Sequence, residues 1–512
     1  MKQGFRQSMG WLHIWAGLAV GWVLFFIFLT GTLGYLRFEI DRWMMPERPL
    51  ATAPRPAADL LPLASARLWT VAPDAANWTI YLPTRRTLGD LRIVWTGADG
   101  AASGGETLDP RTGGPEQLRV RDTGGGDHLY EMHYRLYYLP YDWAIRIVGI
   151  CTMAMLVALL TGIVVHRRIF ADFFTFRPRK GQRSWLDAHN LVGVTALPFH
   201  LMITYSGLIF FLFAYLPTVP TLLYGADAED RIFEQLAPAV PSQVSSTAPR
   251  IAAPRLGPML AVAEAHWGAG TVERITVDHP GRAGSLVTVF ARSGHGRTLI
   301  WDSRGLLFDG MSGRLLPDPR PPLSAPIRLH DLLLDLHVAD FAQPLVRLLY
   351  LISGLAGTAM IGTGLVLWSA KRKAKLPAGH RGLALVDRLN IATLVGLPVA
   401  IAGYFWANRL LPVDFAARHD WEVHCMFLTW LAVLLYSFGR TPEQGWRELF
   451  GLAAIAWSAI PLLNALTTDK HLGVTLAAHD WVLAGFDLTA LAVGIVFALL
   501  FRRSRYATGS QR

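Results

Sequence analysis

The chain has 512 residues, 52% hydrophobic and 17% charged, with a formal net charge of +10 and a mean hydropathy of +0.31. That is too apolar for a soluble protein and too charged for one made of membrane helices alone. The 18 Trp and 25 Phe, with no heptads, exclude disorder, collagen and coiled coil. The two cysteines, Cys151 and Cys425, exclude a disulfide framework, a zinc knuckle and an iron–sulfur cluster.

Eight windows reach the roughly 20 mostly apolar residues that a membrane helix needs: 9–35, 143–165, 187–215, 345–369, 386–408, 421–438, 447–466 and 480–501. The first follows a short basic start (Lys2, Arg6) and is too long for a signal-peptide core, so it reads as an uncleaved anchor. Basic residues then mark the cytoplasm. The loop 166–186 carries Arg167, Arg168, Arg177, Arg179, Lys180 and Arg183 against Asp172. The segment after the fourth span holds Lys371, Arg372, Lys373 and Lys375, and the tail Arg502, Arg503 and Arg505. These clusters alternate correctly if both termini lie inside. Topology therefore accounts for the charge, and nucleic-acid binding is the weaker reading.

The expected fold is a polytopic α-helical membrane protein of about eight transmembrane helices with two external α+β modules. A first helix (1–35) precedes module 1 (36–142). Helices two and three (143–215) flank the cytoplasmic loop, module 2 follows (216–344), then a fourth helix (345–375) and a C-terminal four-helix membrane region (386–501). In module 1, Trp78–Leu82 and Leu91–Trp95 alternate like half-buried strands, and Thr107–Gly113 is a turn cluster. In module 2, a Pro-, Ser- and Ala-rich linker (238–258) leads to a helix at 256–267 and strands at 274–278, 286–290 and 298–302.

The first half repeats itself. Trp11-Leu-His13 opens span one with Gly31 behind it, and Trp185-Leu-Asp-Ala-His189 opens span three with Gly207 at the same spacing. Leu129-Tyr-Glu-Met-His133 precedes span two and Leu333-Leu-Asp-Leu-His337 precedes span four. Span two ends at Gly162-Ile-Val-Val-His166, and span four at Gly364-Leu-Val-Leu-Trp368. Helix, module, helix is thus used twice in the same sense, as around an axis along the membrane normal. A third, decayed copy starts span five: Asp187, Asn190 and Pro198 are echoed by Asp387, Asn390 and Pro398, with Leu389 where His189 would stand.

Ionisable groups in a bilayer are expensive and usually functional. His189 and His200 are expected on one helix face, about 16.5 Å apart along the axis. His13 enters at the depth of His189, His166 lies at the cytoplasmic end, and His133 and His337 lie at the external ends. Two tiers of imidazoles suit bis-histidine haem ligation for electron transfer, in a helical bundle that holds a flat apolar macrocycle. Glycines at 17, 21, 193 and 207 let a ring approach the backbone. A zinc or copper site lacks a close His pair or H-E-x-x-H, and a proton relay lacks an intramembrane carboxylate. Arg146 and Arg347 serve as interfacial anchors or as propionate partners. In the last four spans, His419, Glu422, His424, His471 and His479 sit at external helix ends, as surface residues or the lining of an external site.

These segments resemble the PepSY-associated transmembrane helix family, the iron-regulated membrane proteins. The resemblance is carried by Trp11–Gly17 with Leu29-Thr-Gly31, Gly162–Phe170, Phe173–Pro178, Trp185–Asn190, Leu197–His200 and Leu336-His337, over residues 8–375. The modules resemble PepSY domains, with Leu108–Gly113 and Trp301–Gly305 as closing turns. The resemblance implies a bacterial inner-membrane protein with periplasmic modules, two b-type haems and ferric-siderophore reduction. The matching ligands are His13, His189, His200 and His337 first, His133 and His166 second. The expected activity is a di-haem electron conduit, fed by a cytoplasmic reductase or quinol, that reduces ferric iron chelates at the periplasmic face. The alternatives are a non-redox PepSY scaffold, a peptide-binding or assembly partner of a transporter, and a transporter.

Overall fold

The computed structural model describes residues 4–50, 55–83, 91–97, 103–166, 177, 180–216, 218, 221–222, 225–228, 230–231, 251–292, 304–320, 322–373, 375–377 and 379–509. In chain order the elements are α1 (Phe5–Gly34), α2 (Arg37–Met44), α3 (Ala57–Val71), β1 (Ala75–Tyr81), β2 (Leu91–Gly97), β3 (Gly104–Leu108), α4 (Gly125–Arg135) and α5 (Tyr141–Val165). Then come α6 (Gln182–Thr195), α7 (Leu197–Phe210), α8 (Leu256–Trp267), β4 (Val272–Asp278), β5 (Leu286–Ala291), β6 (Leu306–Asp309) and α9 (Ala325–Val338). The C-terminal part holds α10 (Pro344–Lys373), α11 (Arg381–Leu394), α12 (Gly396–Leu410), α13 (Arg418–Phe438), α14 (Pro442–Ser458), α15 (Ile460–Thr467), α16 (Leu472–Ala477) and α17 (Trp481–Gly509).

They form two units. The helical unit comprises residues 1–50, 120–215 and 344–512, and the sheet unit residues 51–119 and 216–343. The segments 36–50 and 120–142, expected in the first module, belong to the helical unit, because α4 packs on α1 and α2 packs on α4.

Among the described residues of the helical unit, seven stretches are long and apolar enough to cross a membrane, or eight if the bent pair α6–α7 counts as one. This is a membrane protein. At ~1.5 Å per residue, the 30 residues of α1 exceed a bilayer's roughly 30 Å core. α1 packs against α5 and α10, and α6 against α10, around a core that includes Leu24, Phe25, Met155, Met360 and Leu365.

One expectation needs correction. His189 and His200 do not share the face of a straight helix, because α6 and α7 are bent by 68°. Pro198, at the first turn of α7, has no N–H to continue the ladder and its ring clashes with the preceding turn. Ala196, at φ −110° and ψ 20°, makes the corner. The same proline in the third copy, Pro398, lies in the first turn of α12, where α11 and α12 still qualify as one span. The third copy keeps its polar anchors. Asp187 is paired with Arg177 at 2.9 Å, and Asp387 with Lys373 at 3.0 Å.

In the sheet unit, each module supplies one helix and three strands. They join edge to edge into one antiparallel sheet of order β3-β2-β1-β4-β5-β6. The junction pairs Trp78 with Val277 and Ile80 with Ile275, all buried. Alternate residues point to α3 (Leu60, Leu61, Ala64, Leu68) and α8 (Met259, Leu260, Ala263), as a period of two requires. The outer strands β3 and β6 were not read from sequence: β3 opens on two glycines and β6 has only four residues. The expected strand 298–302 lies outside the described residues. The closing turns also differ. Gly113 (φ +73°) returns its N–H to the Asp109 carbonyl at 2.8 Å, and the matching turn is Asp309–Gly313, where Gly313 (φ +72°) does the same at 2.8 Å. The expected second turn, 301–305, instead runs into β6, and its first residues lie outside those described.

Candidate functional site

α1 and α6 each present a histidine to the next long helix of their own repeat. His13 Nδ1 lies 2.8 Å from the Ala158 carbonyl on α5. His189 Nδ1 lies 2.9 Å from the Met360 carbonyl on α10. A carbonyl only accepts, so each Nδ1 carries the proton and each Nε2 keeps its lone pair. Three residues on, Thr161 and Thr363 each place Oγ1 3.4 Å from the same Nδ1. Glycines complete the match. A Cβ on Gly162 would stand 3.3 Å from His13 Cε1, and one on Gly364 would stand 3.1 Å from His189 Cε1. Carbonyl, threonine and glycine thus recur in both halves, and each fixes an imidazole.

The two rings meet. Their centroids are 6.2 Å apart with planes at 73°. Among the described residues, neither Nε2 has a hydrogen-bond partner. Four residues after each histidine, on the same face, stands a glycine. A Cβ on Gly17 would have nothing within 4 Å, and one on Gly193 would meet the flexible Met360 side chain, Sδ at 3.1 Å and Cγ at 3.5 Å. The donor set is therefore two lone-pair nitrogens, each beside a glycine, with the Met360 side chain against the second. These residues would fit a haem, with His13 and His189 supplying imidazole nitrogens to its iron.

The other expected ligands are placed differently. His200 is fully buried. Its Nε2 faces the Ser353 carbonyl at 3.3 Å, and its Nδ1 is buried without a partner. Its ring contacts are Phe28 and Phe199, and among the described residues no imidazole lies against it. His133, on α4, donates from Nδ1 to the Tyr130 carbonyl and lies over Gly31; burial holds its pKa below the ordinary value. The backbone N–H of His166 caps α5 by bonding Gly162, and its half-buried ring makes no hydrogen bond among the described residues. His337 belongs to the sheet unit, in the last turn of α9. Arg347 is engaged by Glu39 at 2.6 Å. Arg146 lies over Trp143 at 5.9 Å, an anchor's place.

Sequence reasoning missed a buried polar cluster that fastens the C-terminal helices to the segment 120–126. Arg418 and Glu422 are both fully buried and paired. Glu422 also accepts from Asn408 (2.8 Å), Thr123 (2.6 Å) and the Gly124 N–H (3.2 Å). Beside it, Arg42 pairs with Asp480 at 3.2 Å, and Trp43 donates to Asp487 at 2.9 Å. Of the Arg418–Glu422 pair, the sequence picks out only Glu422, as one of a group of external residues. The signal was there, since Arg418 and Glu422 stand four apart on a helix. Nearby, His128 is buried with Nε2 unpartnered, and burial pushes its pKa down to about 3.

The family described as "PepSY-associated TM region" matches residues 10–371. An uncharacterized protein of Pseudomonas aeruginosa, PA4219, is 26% identical over 367 residues, covering 66% of this chain and 90% of that protein. The family match ends at the close of α10, so α11 to α17 lie beyond it.

Proposed function

Because the chain belongs to the PepSY-associated transmembrane family, and because that region holds a paired, pre-oriented set of imidazoles, we propose that it is an inner-membrane electron conduit of the b-haem type. The supporting observation is the His13–His189 pair, with both Nδ1 atoms tied down and both Nε2 atoms left with lone pairs. Haem held there supplies a one-electron ferric/ferrous couple.

The chain's own groups do the rest. The Ala158 and Met360 carbonyls fix tautomer and ring direction and raise imidazole basicity, as outer-shell partners of metal-bound histidines do. Gly17 and Gly193 leave room beside the ligands. The apolar walls keep water out and so shape the reduction potential. Because only electrons move, no acid–base residue is needed. The proposal includes a second haem on His200, supported by its buried, unpartnered Nδ1, with His133 as the candidate second ligand.

Both termini would be cytoplasmic and the PepSY-like modules periplasmic. A cytoplasmic reductase or quinol would donate, and a ferric siderophore or similar iron chelate would accept. The test is a reduced-minus-oxidised spectrum of the purified full chain from haem-replete cells, with haem counted per chain. Expected are b-type bands at two haems per chain, with one haem lost in His189→Ala. A colourless protein overturns the reading and leaves a PepSY membrane scaffold or assembly partner.

A further inference from the structure

A second pair of imidazoles lies at the other end of the helical unit, between α4 and the first turn of α13. The ring centroids of His128 and His419 are 6.0 Å apart with planes at 80°, close to the arrangement of His13 and His189. His128 is 6% exposed, and its Nε2 is sealed from water with no hydrogen-bond partner. An unpaired nitrogen at such a depth is costly unless something binds it. His419 is half-buried, so the pair opens to solvent on one side. Asp420 follows it in the chain and accepts from the Tyr137 hydroxyl at 2.9 Å, which brings a negative charge to the rim. His419 lies beyond the family match, on a helix that the family region lacks.

We propose that His128 and His419 form a binding site for a divalent first-row transition-metal ion, with water completing its coordination. Neutral imidazole suits ions of that class. Among the described residues no three His, Cys, Asp or Glu side chains converge on one ion, so the protein supplies two ligands and the site stays open. A haem does not fit here. The His128 ring is flanked by Tyr137 at 5.1 Å and by the buried Tyr404 at 5.7 Å, which fill the space a macrocycle would need. An open two-imidazole site at the rim is suited to taking up an ion from solution or passing one on.

The site is independent of haem binding, and the test keeps the two apart. The purified full chain in detergent is titrated with Zn2+ alone against a chromogenic chelator, and its haem spectrum is recorded alongside. One Zn2+ per chain is expected. Removing a direct ligand should cost at least the roughly tenfold known for outer-shell partners, so His419→Ala should weaken binding by that much or more, with the haem spectrum unchanged. His128→Leu should do the same, and the double variant should lose little beyond either single one. His13→Ala should leave Zn2+ binding intact. If His419→Ala and His128→Leu bind Zn2+ as the unaltered chain does, the proposal is overturned. Equal loss on altering the exposed His479 would also overturn it, since the binding would then be adventitious. His419 is half-buried, so its variant tests the site even if the change at His128 prevents folding.

Discussion

His13 and His189 face one another across 6.2 Å, each held by a carbonyl of a different helix. Neither carbonyl alone would bring two imidazoles together. The pairing follows because α1 packs on α5 and α10 while α6 packs on α10. If this pair is the haem ligand set, the two histidines are equivalent. His13→Ala and His189→Ala should each abolish the same b-type component of the difference spectrum, and the double variant should lose no more. Loss from one variant and not the other would show that the rings do not share a ligand.

The glycines behind the rings make a finer prediction. A methyl at Gly364 would sit 3.1 Å from His189 Cε1, against 3.3 Å for Gly162 and His13. Both contacts are tight, so the imidazole must shift, and the Gly364 side is tighter. Gly364→Ala should lower haem retention by roughly tenfold or more, in the range for disturbed outer-shell partners, and Gly162→Ala by less. Competition with apomyoglobin measures both.

Much of this was legible in the sequence because repeats declare themselves as residue spacings. The offset that relates Gly162 to Gly364 also relates Thr161 to Thr363 and Ala158 to Met360, and that register builds the site. The spans were legible for the same reason that membranes accept them: length and apolarity suffice. The bend at Ala196 was missed because periodicity continues through Pro198, and a proline in the first turn of a helix reads the same as one that only kinks it. The joined sheet was missed because the β1–β4 pairing is non-local: Ile80 and Ile275 each carry a strand pattern but no mark of the partner. The Arg418–Glu422 cluster was hidden by composition, since charged residues at a helix end usually lie at the surface.

Asp41 on α2 gives a pH dependence. Burial, with the nearby Asp127 charge, pushes its carboxyl up to about 7, against an ordinary value of 3.8. The folded state thus holds the proton more tightly than the unfolded chain does. Asp41's contribution to stability should be greatest below about pH 4, fall as the pH rises through the window to 7, and level off above it, by at most about 4 kcal/mol. Asp41→Asn keeps an oxygen to accept the Gly126 N–H, bonded at 2.8 Å, and should flatten that slope. Thermal unfolding in detergent at pH 4.5 and pH 8 checks it; an unchanged slope would remove Asp41 as the cause.

The Arg418–Glu422 pair should be intolerant of single changes. Both side chains are fully buried, so removing one leaves the other's charge uncompensated, at about 3–5 kcal/mol. Arg418→Met should lower the unfolding temperature strongly. Glu422→Gln should cost less, because Gln keeps one oxygen for the Asn408 amide and Arg418 and loses only the acceptor that serves Thr123 and the Gly124 N–H. If the first variant unfolds as the unaltered chain does, the cluster does not fasten the C-terminal helices.

The sheet junction can be tested through Ile80 and Ile275, which are paired across β1 and β4 and fully buried. Truncating either to alanine removes apolar contact and leaves a cavity, at about 2–5 kcal/mol. Because each strand is the other's neighbour, the cost should fall on both modules together. The residues share one cavity, so the double variant should depart from additivity by about 0.5 kcal/mol or more. Hydrogen exchange separates the outcomes. Ile80→Ala should speed amide exchange in β4 and β5 as well as in β1 and β2. Faster exchange confined to β1, β2 and β3 would mean that the two modules fold independently and the joined sheet is incidental.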